Sequence, residues 1–256
     1  MKCHDLIELL NETADPALAE DWDNPGLLVG ELEAEIRTVL VAVDATDEVI
    51  DEAVEVRADL IITHHPLIFK GISRVTDDDF VGRRVIRMIR KDICCFAMHT
   101  NFDISCMGEE AAERLGLLDA QPLQDTGEEE GYGRVGRLDA PMSVLELSEH
   151  LKEALQVEDM KVFGDLQSVV SSVAVMPGSG GSAIKDALKK KAEVLITGDI
   201  SHHQGIDAVA QGLAVIDAGH FGIEKLFIPY MKEYLERNTR GLMVYCDDRE
   251  VPFRIV

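Results

Sequence analysis

Aromatic residues are scarce in this chain, 5% of 256 residues with a single tryptophan, and 25 Lys and Arg face 48 Asp and Glu. The resulting net charge of −23 repels phosphate backbones and excludes double-stranded nucleic acid as a partner. No apolar run approaches the ~18 residues needed to cross a membrane. The opening "MKCHDLIELLNETADP" carries Asp5, Glu8 and Glu12 and lacks the basic start and unbroken apolar segment of a signal peptide. The five cysteines (Cys3, Cys94, Cys95, Cys106, Cys246) are odd in number and show no CxxC spacing. They read as reduced thiols of a cytoplasmic protein, neither a disulfide frame nor a zinc knuckle.

Hydrophobic residues are plentiful at 46%, ample for a packed core. Their periodicity alternates between strand and helix. "TVLVAVDAT" (38–46), "ADLIITHH" (58–65) and "ICCFAMHTNFD" (93–103) read as strands. Between them lie the helical patterns "DEVIDEAVEVR" (47–57) and "DFVGRRVIRMIRKD" (79–92), the latter with Val81, Val85, Ile86 and Ile89 inward. The second half repeats the order: strands at 171–181, 192–203 and 213–224, helices at 182–191 and 204–212. "ADLIIT" (58–63) and "AEVLIT" (192–197) match in character at every position. We therefore expect two similar α/β lobes related by internal duplication, each a largely parallel sheet under helices. The acidic, glycine-rich "LQDTGEEEGYGRVG" (123–136) marks the join, giving lobes of 1–126 and 127–256, with the C-terminal segment able to pack back on the first.

Polar residues gather just after strands, where open α/β sheets bind ligands. His64 and His65 end one strand, His99 and Asp103 follow another, Asp199, His202 and His203 a third, His220 and Glu224 a fourth. Each group has a bland reading. One imidazole of His64–His65 fits a hydrogen-bonded core position with the other in solvent, although Pro66 forbids further ladder pairing beside them. Asp103 fits the cap of a helix beginning near "GEEAAERL". His220 and Glu224 stand four apart, on one side of a helical turn if a helix starts there. "MPGSGGSAIK" (176–185) lacks the GK[ST] ending of a phosphate loop and reads as a turn with Ser182 as helix cap. "EKLFIPYMKEYLERN" (224–238) reads as an amphipathic core helix or a subunit contact. Taken together, neutral imidazoles and carboxylates without thiolates suit zinc, manganese, iron or cobalt. They are too many for one tetrahedral zinc and suffice for two ions.

The motifs "DWDNPGLLVG", "VAVDAT", "ITHHPLIF", "HTNFD", "GYGRVG", "VFGD", "GSGGSAI", "LITGDISHH" and "IDAGHFGIE" occur in that order through nearly the whole chain. In them the sequence resembles the short form of the Nif-three-like proteins, many labelled GTP cyclohydrolase I type two homologues. The resemblance implies two α/β lobes with a dinuclear metal site in the cleft between them, and assembly into hexameric toroids. Carried over by motif, the metal ligands are His64, His65, Asp103, His220 and Glu224, holding two divalent ions per chain. His99 is either a further ligand or a partner orienting Asp103. Asp199, His202 and His203 are candidate proton-transferring residues of a metal-dependent hydrolase with a small, nucleotide-like substrate. The alternative is a non-enzymatic metal-binding assembly or interaction protein. The sequence shows no aromatic stacking platform and no basic phosphate clamp that would read a guanine nucleotide.

Overall fold

A computed structural model describes residues 1–126, 130–249 and 253. The chain forms α1 (Cys3–Thr13), β1 (Gly26–Val29), β2 (Thr38–Ala42), α2 (Asp47–Glu55), β3 (Leu60–Thr63), α3 (Phe80–Arg90), β4 (Cys94–Ala97) and the short α4 (Thr100–Phe102). A π-helical turn, Asp103–Met107, leads into α5 (Gly108–Arg114), then β5 (Leu118–Asp125), β6 (Gly131–Ser143), α6 (Val144–Leu155), β7 (Lys161–Phe163) and β8 (Val169–Ser179). There follow α7 (Ile184–Lys189), β9 (Val194–Gly198), α8 (His202–Ala210), β10 (Ala214–Asp217), α9 (His220–Glu224), α10 (Phe227–Asn238) and β11 (Met243–Cys246).

The chain is a mixed α/β protein of two compact units, each with its own sheet. Among the described residues, one comprises Met1–Phe102 and 227–249; the other comprises Asp103–Leu226 and Phe253. The sequence reading placed the join at 126/127. That point lies between β5 and β6, which pair as antiparallel neighbours in one sheet, and residues 127–129 fall outside the described residues.

The first sheet runs β1-β4-β3-β2-β11, parallel except for β1. Every residue of β2, β3 and β4 is buried. Such unbroken apolar strands belong in parallel sheets covered on both faces. Helix α2 is capped by Thr46, whose hydroxyl accepts from the Val49 N–H at 3.2 Å, and buries Val49, Ile50 and Ala53. Helix α3 starts at Asp79, whose carboxylate accepts from Val81 and Gly82. Its inward stripe is Val85 and Met88; Ile89, expected inward, is 59% exposed. Met88 completes an i, i+4, i+7 line with Val81 and Val85, and Ile89 lies past its edge.

The second sheet runs β5-β6-β8-β9-β10-β7 and departs from the expected largely parallel form. Only β8–β9 and β9–β10 pair in parallel. The β5–β6 hairpin, β6 beside β8 and the three-residue β7 at the far edge are all antiparallel. Two further readings also change. Asp103 caps no helix: it opens the π-turn, and α5 starts after Met107 without a side-chain cap. Ser182 sits inside a 3-10 turn, Gly180–Ala183, and α7 has no side-chain cap. Helix α10 buries Phe227, Ile228, Met231 and Leu235, so its apolar face is core.

The repeated strand–helix order is visible in detail. The triples β2, β3, β4 and β8, β9, β10 lie in the same order in their sheets. Asp59, just before β3, accepts from the N–H groups of Arg37 and Thr38 at 2.8 and 2.9 Å. Glu193, just before β9, accepts from those of Ser171 and Ser172 at 2.7 and 2.9 Å. Two residues ahead of each carboxylate, Arg57 (φ 57°) and Lys191 (φ 61°) take the left-handed conformation that ends the preceding helix.

The Ser171 and Ser172 N–H groups hold the Glu193 carboxyl below its ordinary pKa against a smaller opposing effect of burial, the Ser171 hydroxyl adding to the hold. A depressed carboxyl contributes stability that is complete above its unfolded pKa of about 4.3 and is lost as pH falls through the folded value. Glu193→Gln therefore lowers Tm at pH 7, and the gap to wild type closes in thermal melts taken at pH values stepping down below about 4.

Candidate metal centre

The backbone continues past β3: the N–H groups of His64 and His65 donate to Ala42 and Val43 at 3.3 and 2.9 Å, so both imidazoles stand at its carboxyl end. His99 stands past the neighbouring β4. The three rings form a near-equilateral triangle, with centroids 4.9 Å (His64–His65), 5.3 Å (His64–His99) and 5.4 Å (His65–His99) apart. His64 is fully buried, packed against Phe102 and Phe227 at 6.2 and 5.5 Å.

Each ring has the same nitrogen engaged. Nδ1 of His64 lies 2.9 Å from the Met98 carbonyl, Nδ1 of His65 lies 2.9 Å from Asp44 Oδ1, and Nδ1 of His99 lies 2.7 Å from Asp23 Oδ1. A carbonyl or carboxylate oxygen can only accept, so Nδ1 carries a proton, and Nε2 is the nitrogen that each neutral ring would offer to a metal. One nitrogen of each ring lies within 4.8 Å of those of the other two. This is how metal-binding imidazoles are oriented by their outer partners.

Asp23 is the most heavily used of those partners. Its carboxylate is fully buried and accepts from His99 Nδ1, the Thr100 N–H (3.0 Å), the Thr100 hydroxyl (2.6 Å) and the Asn24 N–H (2.8 Å). Burial pushes its pKa up, but the bonds from His99 and Thr100 outweigh that and hold the group ionised below the usual range. Burial pushes His99 down, against the pull of Asp23, and the neighbouring His64 and His65 add to the depression. His99 is accordingly the neutral imidazole that a metal requires.

In the second unit, α9 places His220 and Glu224 one turn apart, Nε2 lying 2.9 Å from Glu224 Oε2. The other nitrogen, Nδ1, lies 2.8 Å from Asp199 Oδ2. Both ring nitrogens thus face carboxylates, a setting that calls for positive charge. Asp217, buried at the end of β10, accepts from the Ile200 and Gly219 N–H groups at 3.1 and 3.0 Å and pairs with Lys161 at 2.6 Å. It thereby ties the loop carrying Asp199 to the start of α9. Glycines make the space: a Cβ on Gly178 (φ +68°) would lie 2.6 Å from Glu224 Oε1, and one on Gly198 would lie 2.4 Å from the His220 backbone nitrogen.

Over residues 1–249 the sequence matches the family described as Duf34/NIF3 (NGG1p interacting factor 3). The chain belongs to that family. It is 39% identical over 231 residues to the "GTP cyclohydrolase 1 type 2 homolog" of Clostridium perfringens (strain 13 / Type A), covering 88% of this chain and 87% of that protein. Reduced HcgD from Methanocaldococcus jannaschii superposes with a TM-score of 0.85 at 32% identity, over 97% of this chain and 98% of that one. A Bacillus cereus protein related to NIF3 shares the fold at a TM-score of 0.92 and 24% identity, over 100% and 99%.

In this DUF34/NIF3 chain the structure brings His64, His65 and His99 together in the first unit, and Asp199, His220 and Glu224 together in the second. Asp103 occupies the first position of the π-turn, a distortion that recurs at functional sites. His202 and His203 open α8 with their rings exposed and 5.3 Å apart. His99 Nδ1 is engaged by Asp23, a partner the sequence did not suggest. Asp23, Asp44, Asp217 and Gly178 were all missed as site residues. The available signal was position: Asp44 and Asp217 each stand at or just past a strand's carboxyl end, as the histidines do.

Gly178→Ala places a methyl group where the Glu224 carboxylate lies. We expect the folded variant to bind zinc or manganese about ten- to hundredfold more weakly in calorimetric titration, as disturbed outer partners of metal ligands do.

Proposed function

We propose that this chain is a dinuclear-metal-dependent hydrolase of a small, nucleotide-like substrate, with His64, His65, Asp103, His220 and Glu224 holding two divalent ions. The observation that carries the proposal is the triangle of imidazoles whose Nδ1 atoms are all engaged, leaving Nε2 as donor. The donor set is imidazole and carboxylate without thiolate, which fits zinc, iron, manganese or cobalt. The reaction class is supported by the relatives' name, GTP cyclohydrolase 1 type 2 homolog. A GTP cyclohydrolase activity would require hydrolytic opening of the guanine imidazole ring.

Divalent ions held there supply Lewis acidity and a source of hydroxide near neutral pH. The chain's own residues do the rest. Met98, Asp44 and Asp23 hold the three imidazoles in one tautomer. Asp199 keeps the proton of His220 on Nδ1, facing away from Glu224. His202 and His203, exposed on the first turn of α8 just past Asp199, exchange protons with solvent and relay them to the reacting group. His99 serves as an additional ligand in this scheme.

The family's description as an interacting factor supports a second reading, in which the metal organises an assembly and nothing is turned over. The resemblance to hexameric toroids bears on both readings, since the oligomer would either enclose the sites or depend on them. Elemental analysis of protein purified without chelator or histidine tag, beside His64→Ala/His65→Ala, tests the site. We expect about two metal equivalents per chain in the wild type and loss of metal in a still-folded variant. Metal-loaded protein is then assayed on GTP and generic phosphodiesters. Under the hydrolase reading His65→Ala abolishes turnover at unchanged native mass. Dissociation of the oligomer on metal removal, with no turnover of any substrate, selects the assembly reading.

A further inference from the structure

Aromatic side chains are few in this protein, yet two are exposed side by side at the edge of the imidazole triangle. Trp22 is 58% exposed and Phe69 44%. Their centroids lie 5.9 Å apart, and each stands edge-on to His99, at 6.1 Å from Trp22 and 6.2 Å from Phe69. His99 is thus shared by two groups, the three imidazoles on one side and the two large rings on the other.

Neither ring sits on a loose tether. Trp22 precedes Asp23, whose buried carboxylate takes the four hydrogen bonds described above. Phe69 follows Ile68, whose carbonyl accepts from Asn24 Nδ2 at 2.5 Å. The bonds that orient His99 therefore also fix the stretch carrying Trp22, and Asn24 ties that stretch to the one carrying Phe69. Large apolar rings held in place and left in water are a surface prepared for a ligand with a flat apolar face.

We infer that Trp22 and Phe69 form an aromatic clamp that takes the face of a planar heterocycle, a nucleobase or its nucleoside, and delivers its edge toward His99. The inference rests on the hydrolase reading for what happens at that edge; capture of the ring itself requires no metal. It also explains how a protein of net charge −23 takes a nucleotide-like substrate without a basic phosphate clamp. Recognition runs through the uncharged ring, since every base has a π-face and stacking on an aromatic side chain is sequence-tolerant. The two rings are far apart in sequence and meet only in the fold.

Trp22 is the sole tryptophan of the chain, so its fluorescence reports the clamp directly. Metal-loaded protein is titrated with guanosine, adenosine and ribose 5-phosphate, with metal content measured on the same samples. The expected result is saturable quenching by both nucleosides and none by ribose 5-phosphate. Phe69→Leu should raise the nucleoside Kd about tenfold, as loss of one stacking partner does, and Trp22→Leu, followed by calorimetry, should do likewise. Native mass should be unchanged in both variants. Absence of saturable quenching by either nucleoside in protein with full metal content overturns the clamp and leaves the metal centre standing. Equal quenching by ribose 5-phosphate also overturns it. So does a fall in native mass of either variant, which would make the two rings a contact between copies of the chain. Quenching by nucleosides in protein that binds no metal supports the clamp while removing the hydrolase reading.

Discussion

The hydrogen bond from a histidine Nδ1 to a backbone carbonyl or carboxylate is the interaction on which the rest of the centre depends. An imidazole can offer a lone pair from either nitrogen, and without an outer acceptor it can rotate as well as change tautomer. Here Met98, Asp44 and Asp23 make the same choice for all three rings of the first unit, and Asp199 makes it for His220. Three of those four acceptors are in turn fixed by the sheet. Met98 lies just past β4, Asp44 past β2, and Asp199 past β9. The geometry of the donor atoms is therefore inherited from strand ends, the most rigid places the fold has to offer.

The chain has two such sets of strand ends, one in each unit. In each unit a carboxylate just before the central strand grips two successive N–H groups at or near the start of its neighbour. In each, the residues that matter follow the central strand and the one beyond it: His64 and His65 with His99 in one case, Asp199 with His220 in the other. The units differ in what surrounds this motif. The first has a nearly all-parallel sheet, while the second carries the β5–β6 hairpin and the short β7. What they share is the part that aims side chains.

Much of this was legible in the sequence because it is written locally. The strands around 38–46, 58–65 and 93–103 are continuous apolar runs, and Pro66 beside the histidine pair marks where a strand must stop. His220 and Glu224 were readable from their spacing on one helical turn. The partner carboxylates were not. Asp23 lies 76 residues from His99 in sequence, and its own neighbourhood, "DWDNPG", has every mark of an ordinary turn. The join was misplaced for a related reason: glycine and acid in a row look alike whether they link two lobes or two strands of a hairpin. Ile89 was placed inward with Val81, Val85 and Ile86 on the helical pattern, although the stripe it would join is completed by Met88 one position earlier.

The first unit is discontinuous in sequence, and this bears on how the protein comes into being. Its sheet ends with β11, which pairs in parallel with β2 from Met243↔Thr38 to Cys246↔Val41. That edge is unavailable until almost the whole chain has left the ribosome, and closing it spans a very long loop. The intervening Asp103–Leu226 stretch has no such handicap, since it carries every strand of its own sheet. Synthesis thus favours an order in which the inserted unit matures first and the outer one waits with a bare strand edge. During that wait, β2, every residue of which is buried in the finished fold, is the surface most in need of protection from its neighbours in a crowded cell.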